Sequence, residues 1–269
     1  MDYVSPLELT TAMAESGAKK AKLSVSDMLI RGALSGAFLA FAASLSDAVT
    51  VATDDAVVGA VMFPLGFIII ALLNLELFTG ACAILPFGAF AGRASWGQVA
   101  RNWIFVYIGN LIGALIYAVL YAATSTKFFT AAPDPVGAKV AAVAIAKVVP
   151  YMHAGGAGWA TAFTKGLLAN WMVSLGSVLA LVSRSVIGKI VAAWLPIMAF
   201  VAMGFEHCVV NMFAIPAGIM LGAPITIGQW LEWNQLPVTL GNIAGGLLFT
   251  GLALYVTYKP SKASAVPAE

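Results

Sequence analysis

Near residue 204 an apolar run of membrane-span length is interrupted by Gly204-Phe205-Glu206-His207-Cys208-Val209-Val210-Asn211 and then resumes. A carboxylate and an imidazole at mid-bilayer depth are costly and mark functional positions. The glycine and the cluster of polar groups predict that the helix itself breaks here. Lipid tolerates such a break only where the backbone is buried in protein or lines a cavity. A broken helix carrying a titratable histidine reads as a permeation site.

The rest of the chain is consistent with a membrane setting. Hydrophobic residues make up 61% and charged residues 10% of the 269, and mean hydropathy is +0.93, too apolar for a soluble domain of this size. A net charge of +2 supplies no basic surface for nucleic acid. Cys82 and Cys208 fall in apolar segments and read as small buried residues rather than a disulfide framework. The first six residues show no basic-then-apolar signal pattern.

Stretches long enough to cross a hydrocarbon core of roughly 30 Å lie at about 28–53, 57–92, 99–125, 159–183, 189–222 and 236–257. The second and fifth are too long for one straight helix, and each contains an interruption. Ten Lys/Arg residues fall on the side that holds both termini and four on the other, which predicts cytoplasmic termini. Ser5-Pro6-Leu7-Glu8 reads as a capping box with Pro at the first helical position. It opens a short amphipathic helix within a cytoplasmic segment 1–26, taken as a membrane-surface anchor. A channel domain is expected over 27–258, and a disordered cytoplasmic tail over 259–269.

The two halves repeat. Arg31-Gly32-Ala33-Leu34 and Lys165-Gly166-Leu167-Leu168 are 134 positions apart, Pro64 and Pro196 are 132 apart, and Glu76/Glu206 and Pro86/Pro216 are 130 apart. Gly109-Asn110 and Gly241-Asn242 are 132 apart. Three spans per half is an odd number, so the second half (about 159–258) must enter the membrane inverted relative to the first (about 27–126). Inverted repeats with broken helices place a substrate site near the midplane. Each break frees N–H groups carrying partial positive charge, which favours an anion weakly. The idealised cost of taking a monovalent ion into a medium of low dielectric is of order 20 kcal/mol, so a neutralising proton is attractive. His207 is the one side chain in the spans whose ordinary pKa lies near neutrality.

These residues resemble the formate/nitrite transporter family along about 5–258. The matching pieces are Glu76-Leu77-Phe78-Thr79-Gly80, Asn102-Trp103 with Val106-Tyr107 and Gly109-Asn110, and the run from Gly166 to Val173. They continue with Gly204-Phe205-Glu206-His207, Asn211-Met212-Phe213 with Ile215-Pro216, and Pro237 to Asn242. The resemblance implies an aquaporin-like, all-helical protomer of six spans with helices two and five broken. It further implies homopentamers in the inner membrane of a bacterium or archaeon. The cargo would be a small monovalent anion, formate, nitrite or hydrosulfide, moving with protons, and formate is preferred. It also implies a polar pore station of His207, Thr79 and Asn170, a cytoplasmic constriction at Phe63 and Phe67, and a periplasmic one at Phe78, Val173 and Phe200. Lys147 matches a vestibule lysine.

Glu76 and Glu206 are expected to accept hydrogen bonds from the broken backbone. Asn211 is a supporting group, and Asn110 and Asn242 are interhelical glue. No cofactor is expected. Two rivals stand beside this reading. A membrane-embedded metal enzyme would need three or four ligands, and the chain has two His and two Cys. A neutral-solute pore of aquaporin type lacks its Asn-Pro-Ala motif here.

Overall fold

The computed structural model describes residues 2–258, so the tail expected to be disordered lies outside the described residues. The fold is all-helical apart from one isolated bridge between Tyr3 and Ser183. Helix α1 (Pro6–Ala21) starts at the anticipated Ser5/Glu8 capping box. It is followed by α2 (Val25–Thr53), α3 (Ala56–Met62), α4 (Pro64–Leu72), α5 (Phe78–Phe90) and α6 (Trp96–Ser125). The second half runs through α7 (Pro135–His153), α8 (Gly156–Leu179), α9 (Val186–Ala202) and α10 (Cys208–Met220), and ends in a helix, α11 (Ile227–Thr257), that contains two π-helical segments.

Four of these, α2, α6, α7 and α11, are long and apolar enough to cross a membrane. The 17-residue α3–α4 stretch, α5, α9 and α10 are shorter apolar helices. Their outer faces suit lipid: Ile104, Ile108, Ile112, Ile116 and Leu120 form an exposed stripe along α6, one residue per turn or so.

Helix α7 departs from the span reading, which left residues 135–153 in the connection between spans three and four. It is 19 residues long and starts at Asp134, whose carboxylate accepts from Gly137 N–H at 2.7 Å. It packs on α10 as α1 packs on α5. Small residues allow both contacts: a side chain at Gly17 would press on Gly88 and the Ile84 carbonyl, and one at Gly218 on Ala144 and the Val140 carbonyl. Helix α1 packs into the bundle, where Met13, Ala14, Gly17 and Ala21 are buried.

Both long spans are broken, slightly earlier than expected. The helical hydrogen-bond ladder stops after Leu72 and after Ala202 and restarts at Phe78 and Cys208. Asn74 (φ 50°) and Gly204 (φ 64°), 130 residues apart, take the left-handed conformation at the two breaks. Glycine does this freely, and asparagine is among the residues that tolerate it.

The central pairs α2–α6 and α8–α11 cross at glycine. A Cβ on Gly109 would lie 2.7 Å from the Leu29 carbonyl oxygen and 3.1 Å from Gly32 Cα, and one on Gly166 would lie 2.7 Å from the Val238 oxygen. Close backbone approach of this kind substitutes for a hydrophobic drive that lipid does not provide. Gly109→Val should therefore destabilise the detergent-solubilised protein by about 1–3 kcal/mol, the usual cost of overpacking. Gly156→Ala, where nothing lies within 4 Å, should be neutral. Thermal denaturation of the two variants checks this, and equal melting temperatures would count against glycine-limited packing.

Candidate functional site

Breaking a helix strands peptide groups, and two asparagines on neighbouring helices take them up. Asn110 of α6 donates from Nδ2 to the Gly32 and Glu76 carbonyls (2.8 and 3.1 Å) and accepts from Phe78 N–H at 3.0 Å. Asn242 of α11 donates to the Gly166 and Glu206 carbonyls (2.7 and 3.0 Å) and accepts from Cys208 N–H at 2.9 Å. The same three bonds thus recur, 130 to 134 residues apart. The role as glue assigned from sequence extends to holding both breaks open.

The two buried carboxylates do something other than expected. Their side chains reach the outer helices instead of the broken backbone. Glu76 Oε1 takes Lys20 Nζ of α1 at 2.6 Å. Glu206 takes Lys147 Nζ of α7 at 2.8 Å, Tyr151 Oη at 3.0 Å and Asn211 Nδ2 at 2.9 Å. Asn234 Nδ2 donates to the Lys147 carbonyl at 2.9 Å, and Asn102 Nδ2 to the Lys20 carbonyl at 3.1 Å. The sequence reading gives Asn102 only as part of a matching piece and assigns no role to Lys20, Tyr151 or Asn234. The 132-residue spacing of Asn102 and Asn234 equals that of Gly109 and Gly241, and could have drawn attention to them.

At the centre, Thr79 Oγ1 lies 2.8 Å from His207 Nε2, with both residues buried. Val210 N–H donates to His207 Nδ1 at 3.2 Å, so the imidazole caps α10. A backbone N–H can only donate, so Nδ1 is unprotonated and the ring proton is on Nε2, directed at Thr79 Oγ1. The Thr79 hydroxyl proton meets no acceptor among the described residues, nor do the Thr79 and Gly80 N–H groups at the start of α5. The first turn of α5 thus holds three donors without an acceptor, and one of them, the Thr79 hydroxyl, lies against the imidazole. Asn170 is buried nearby, its Nδ2 donating to the Asn242 carbonyl at 2.6 Å while Oδ1 has no partner.

Two cavities approach this centre. One, of about 310 Å³ on the α1 side, is lined by Lys20, Phe67, Leu77, Gly80, Ser177 and Lys189 among others. The other, of about 260 Å³ on the α7 side, is lined by Asp47, Phe63, Lys139, Lys147, Phe200 and His207 among others. Lys147 lines this cavity while its ammonium pairs with Glu206.

The aromatic constrictions need correction. Phe63 does not pair with Phe67. It packs edge-on against Phe200 with centroids 5.8 Å apart, and Phe200 stacks over the His207 ring at 5.7 Å and 24°. Phe67, one turn or about 6 Å further along the helix axis, lines the α1-side cavity instead. Phe78 belongs to neither constriction: its ring packs edge-on against Trp103 and Tyr107, at 6.2 and 4.9 Å, towards the outer face of the bundle. Val173 is buried in the core one turn before Ser177. No group of three or more His, Cys, Asp or Glu able to hold a metal ion occurs among the described residues.

Known proteins are similar to this chain over nearly its whole length. The family profile described as formate/nitrite transporter matches residues 7–256. A "Probable formate transporter" of Methanothermobacter thermautotrophicus is 37% identical over 275 residues, covering 95% of this chain and 97% of that one. "Formate channel FocA" of Escherichia coli (strain K12) is 33% identical, covering 96% and 95%. Among solved structures, an "FNT family ion channel" superposes with a TM-score of 0.81 at 28% identity, covering 93% of this chain and 98% of the other. A "Pentameric formate channel with formate bound" gives 0.72 at 27%, covering 87% and 97%. The broken apolar helices and these matches lead to one conclusion: the chain is a multi-pass membrane protein of the formate/nitrite transporter family, a family of transporters and channels and not of enzymes.

Proposed function

We propose that this protein conducts small monovalent anions, formate foremost, along a path from the α1-side cavity past Thr79 and His207 to the α7-side cavity. The observation that carries the reading is the buried Thr79–His207 contact between two cavities, with unspent donors on Thr79 and Gly80 beside it. Two broken helices bring those donors together, and an anion shed of water meets N–H and O–H groups there in place of solvent. Formate is preferred over nitrite and hydrosulfide because relatives at 33–37% identity carry formate in their names.

Six crossings arranged as two inverted three-helix repeats suit the recurrence of the asparagine bonds, the left-handed turns and the glycine crossings at nearly one spacing. In this reading α1 and α7 are corresponding helices, and the Lys/Arg distribution puts the termini and the α1-side cavity in the cytoplasm, with the chain in the inner membrane. Phe67 and Leu77 narrow the cytoplasmic side, and Phe63 and Phe200 the periplasmic side.

His207 handles the proton. As found, the ring is a neutral hydrogen-bond donor through Nε2. Delivering a proton to a weak-acid anion requires the imidazolium, whose Nδ1–H would displace the Val210 N–H that Nδ1 now accepts. Proton exchange is thereby coupled to release of the α10 cap. His207→Asn keeps a hydrogen-bonding side chain and removes the titratable ring, so formate flux into proteoliposomes should persist with a much flatter pH dependence. An unchanged pH profile in that variant would refute the proton role.

The apolar slit at Phe67 should filter by size. Wild-type protein should pass formate faster than lactate, and Phe67→Leu should raise lactate flux by several-fold relative to formate. If nitrite or hydrosulfide moved tenfold faster than formate, the substrate assignment would fail while the channel reading stood.

A homopentamer, each protomer with its own path, is supported by the pentameric formate channel among the structural neighbours. Native mass spectrometry of the detergent-purified protein should give a five-chain species; a dominant monomer or tetramer would exclude it.

A further inference from the structure

We propose that Asp47 sets the electrostatic potential of the α7-side mouth and so limits how readily an anion is captured there, a specificity-determining role that rests on the anion-conducting reading above. Asp47 lies on α2, at the wall of the cavity that ends on His207. Its carboxylate makes no hydrogen bond and no ion pair with a Lys or Arg among the described residues, unlike Glu76 and Glu206. It faces Lys139 and Lys147 from α7 and His207 from the break. The phenols of Tyr117 and Tyr121 stand on α6 behind it, Tyr117 bonded to Ser44 at 2.7 Å. Asp134, further out, is engaged by Ser125 and the N-terminus of α7.

Charge accounting on the two sides of the molecule then differs. The Lys147 ammonium is matched by Glu206, and Asp47 offsets Lys139, so the α7-side mouth carries no net charge. The α1-side cavity has Lys20 matched by Glu76 and Lys189 with no carboxylate among its lining residues, so it is left with one positive charge. An anion path with one attractive and one neutral entrance captures its ion unequally from the two sides. Removing the Asp47 charge should make them alike. Clefts lined with one sign of charge raise capture rates by ten-fold or more, and a single charge belongs at the low end of that range.

Formate uptake by proteoliposomes, measured against concentration at low and at high salt, tests this. Asp47→Asn should lower the half-saturating formate concentration by about tenfold at low ionic strength and change the maximal rate less. The difference should vanish in molar salt, where the Debye length is about 3 Å. Asp47→Glu should match the wild type. A second measurement does not depend on conduction: Thr50→Cys places a thiol in the same cavity, while the native Cys82 and Cys208 are buried. Adding Asp47→Asn to that variant should shift its preference from cationic towards anionic thiol reagents by a similar factor. Unchanged half-saturation together with unchanged reagent preference, or a change indifferent to salt, would overturn the proposal. A wild type that passes no anion would instead overturn the conduction reading, with the thiol preference still deciding the role of Asp47.

Discussion

Asn110 and Asn242 make the site possible by bonding the peptide groups that two broken helices leave behind. Inside a bilayer each such group would otherwise be exposed to hydrocarbon at a cost of several kcal/mol. One side-chain amide supplies two donors and an acceptor, which in each half answer one carbonyl and one N–H of the break and tie them to a carbonyl of a neighbouring helix, Gly32 in α2 or Gly166 in α8. The first N–H of α5 and the first of α10 are taken up in this way. The same bonds fix where those helices begin. That start brings Thr79 and His207 within 2.8 Å of one another.

The outer helices α1 and α7 answer the charges that the breaks introduce, and they do so unequally. In the second half Asn211 donates to both Glu206 and Asn234, adding to the network around the carboxylate, while its own Oδ1 has no partner among the described residues. In the first half Ala81 stands 130 residues before Asn211, and the corresponding acceptors, Glu76 Oε2 and Asn102 Oδ1, are buried without partners. An unmet buried acceptor costs about 1–3 kcal/mol. The Lys20–Glu76 contact therefore holds α1 with less support than the Lys147 network gives α7. The resemblance between the halves is one of backbone design, with the side-chain networks specialised separately.

Much of this was legible in the sequence for definite reasons. The breaks are visible because Gly204 and the polar run after it cannot belong to a lipid-facing helix, and the repeat because glycines, prolines and asparagines that do backbone work recur at one spacing. Helix α7 was missed because Lys139, Lys147, Pro150 and the glycines at 155 and 156 resemble a connection; its apolar face is shown only by the small residues it presents to α10. The constrictions differ from the sequence reading because Phe63 and Phe67 share a helix face, and sequence spacing does not reveal that they line different cavities. Phe78 matched a pore motif, yet its ring turns outward to Trp103 and Tyr107, a direction set by the first turn of α5 and not by the motif.

The residue that separates the halves most sharply is the one before each restarted helix. Leu77 and His207 stand 130 residues apart in that position, each in extended backbone with φ near −120°. Leucine offers α5 no side-chain cap, so the Gly80 N–H meets no acceptor among the described residues, whereas its counterpart on α10, Val210 N–H, is taken by His207; the Thr79 and Val209 N–H groups are alike without one. Histidine caps α10 through Nδ1 and turns its remaining proton toward Thr79. The exchange of leucine for histidine between these matched positions thus leaves one more N–H without an acceptor on α5 and sets a titratable ring on α10. An anion held at Thr79 would touch both halves at once, and the chemistry of the path follows from that difference between two otherwise matched helix ends.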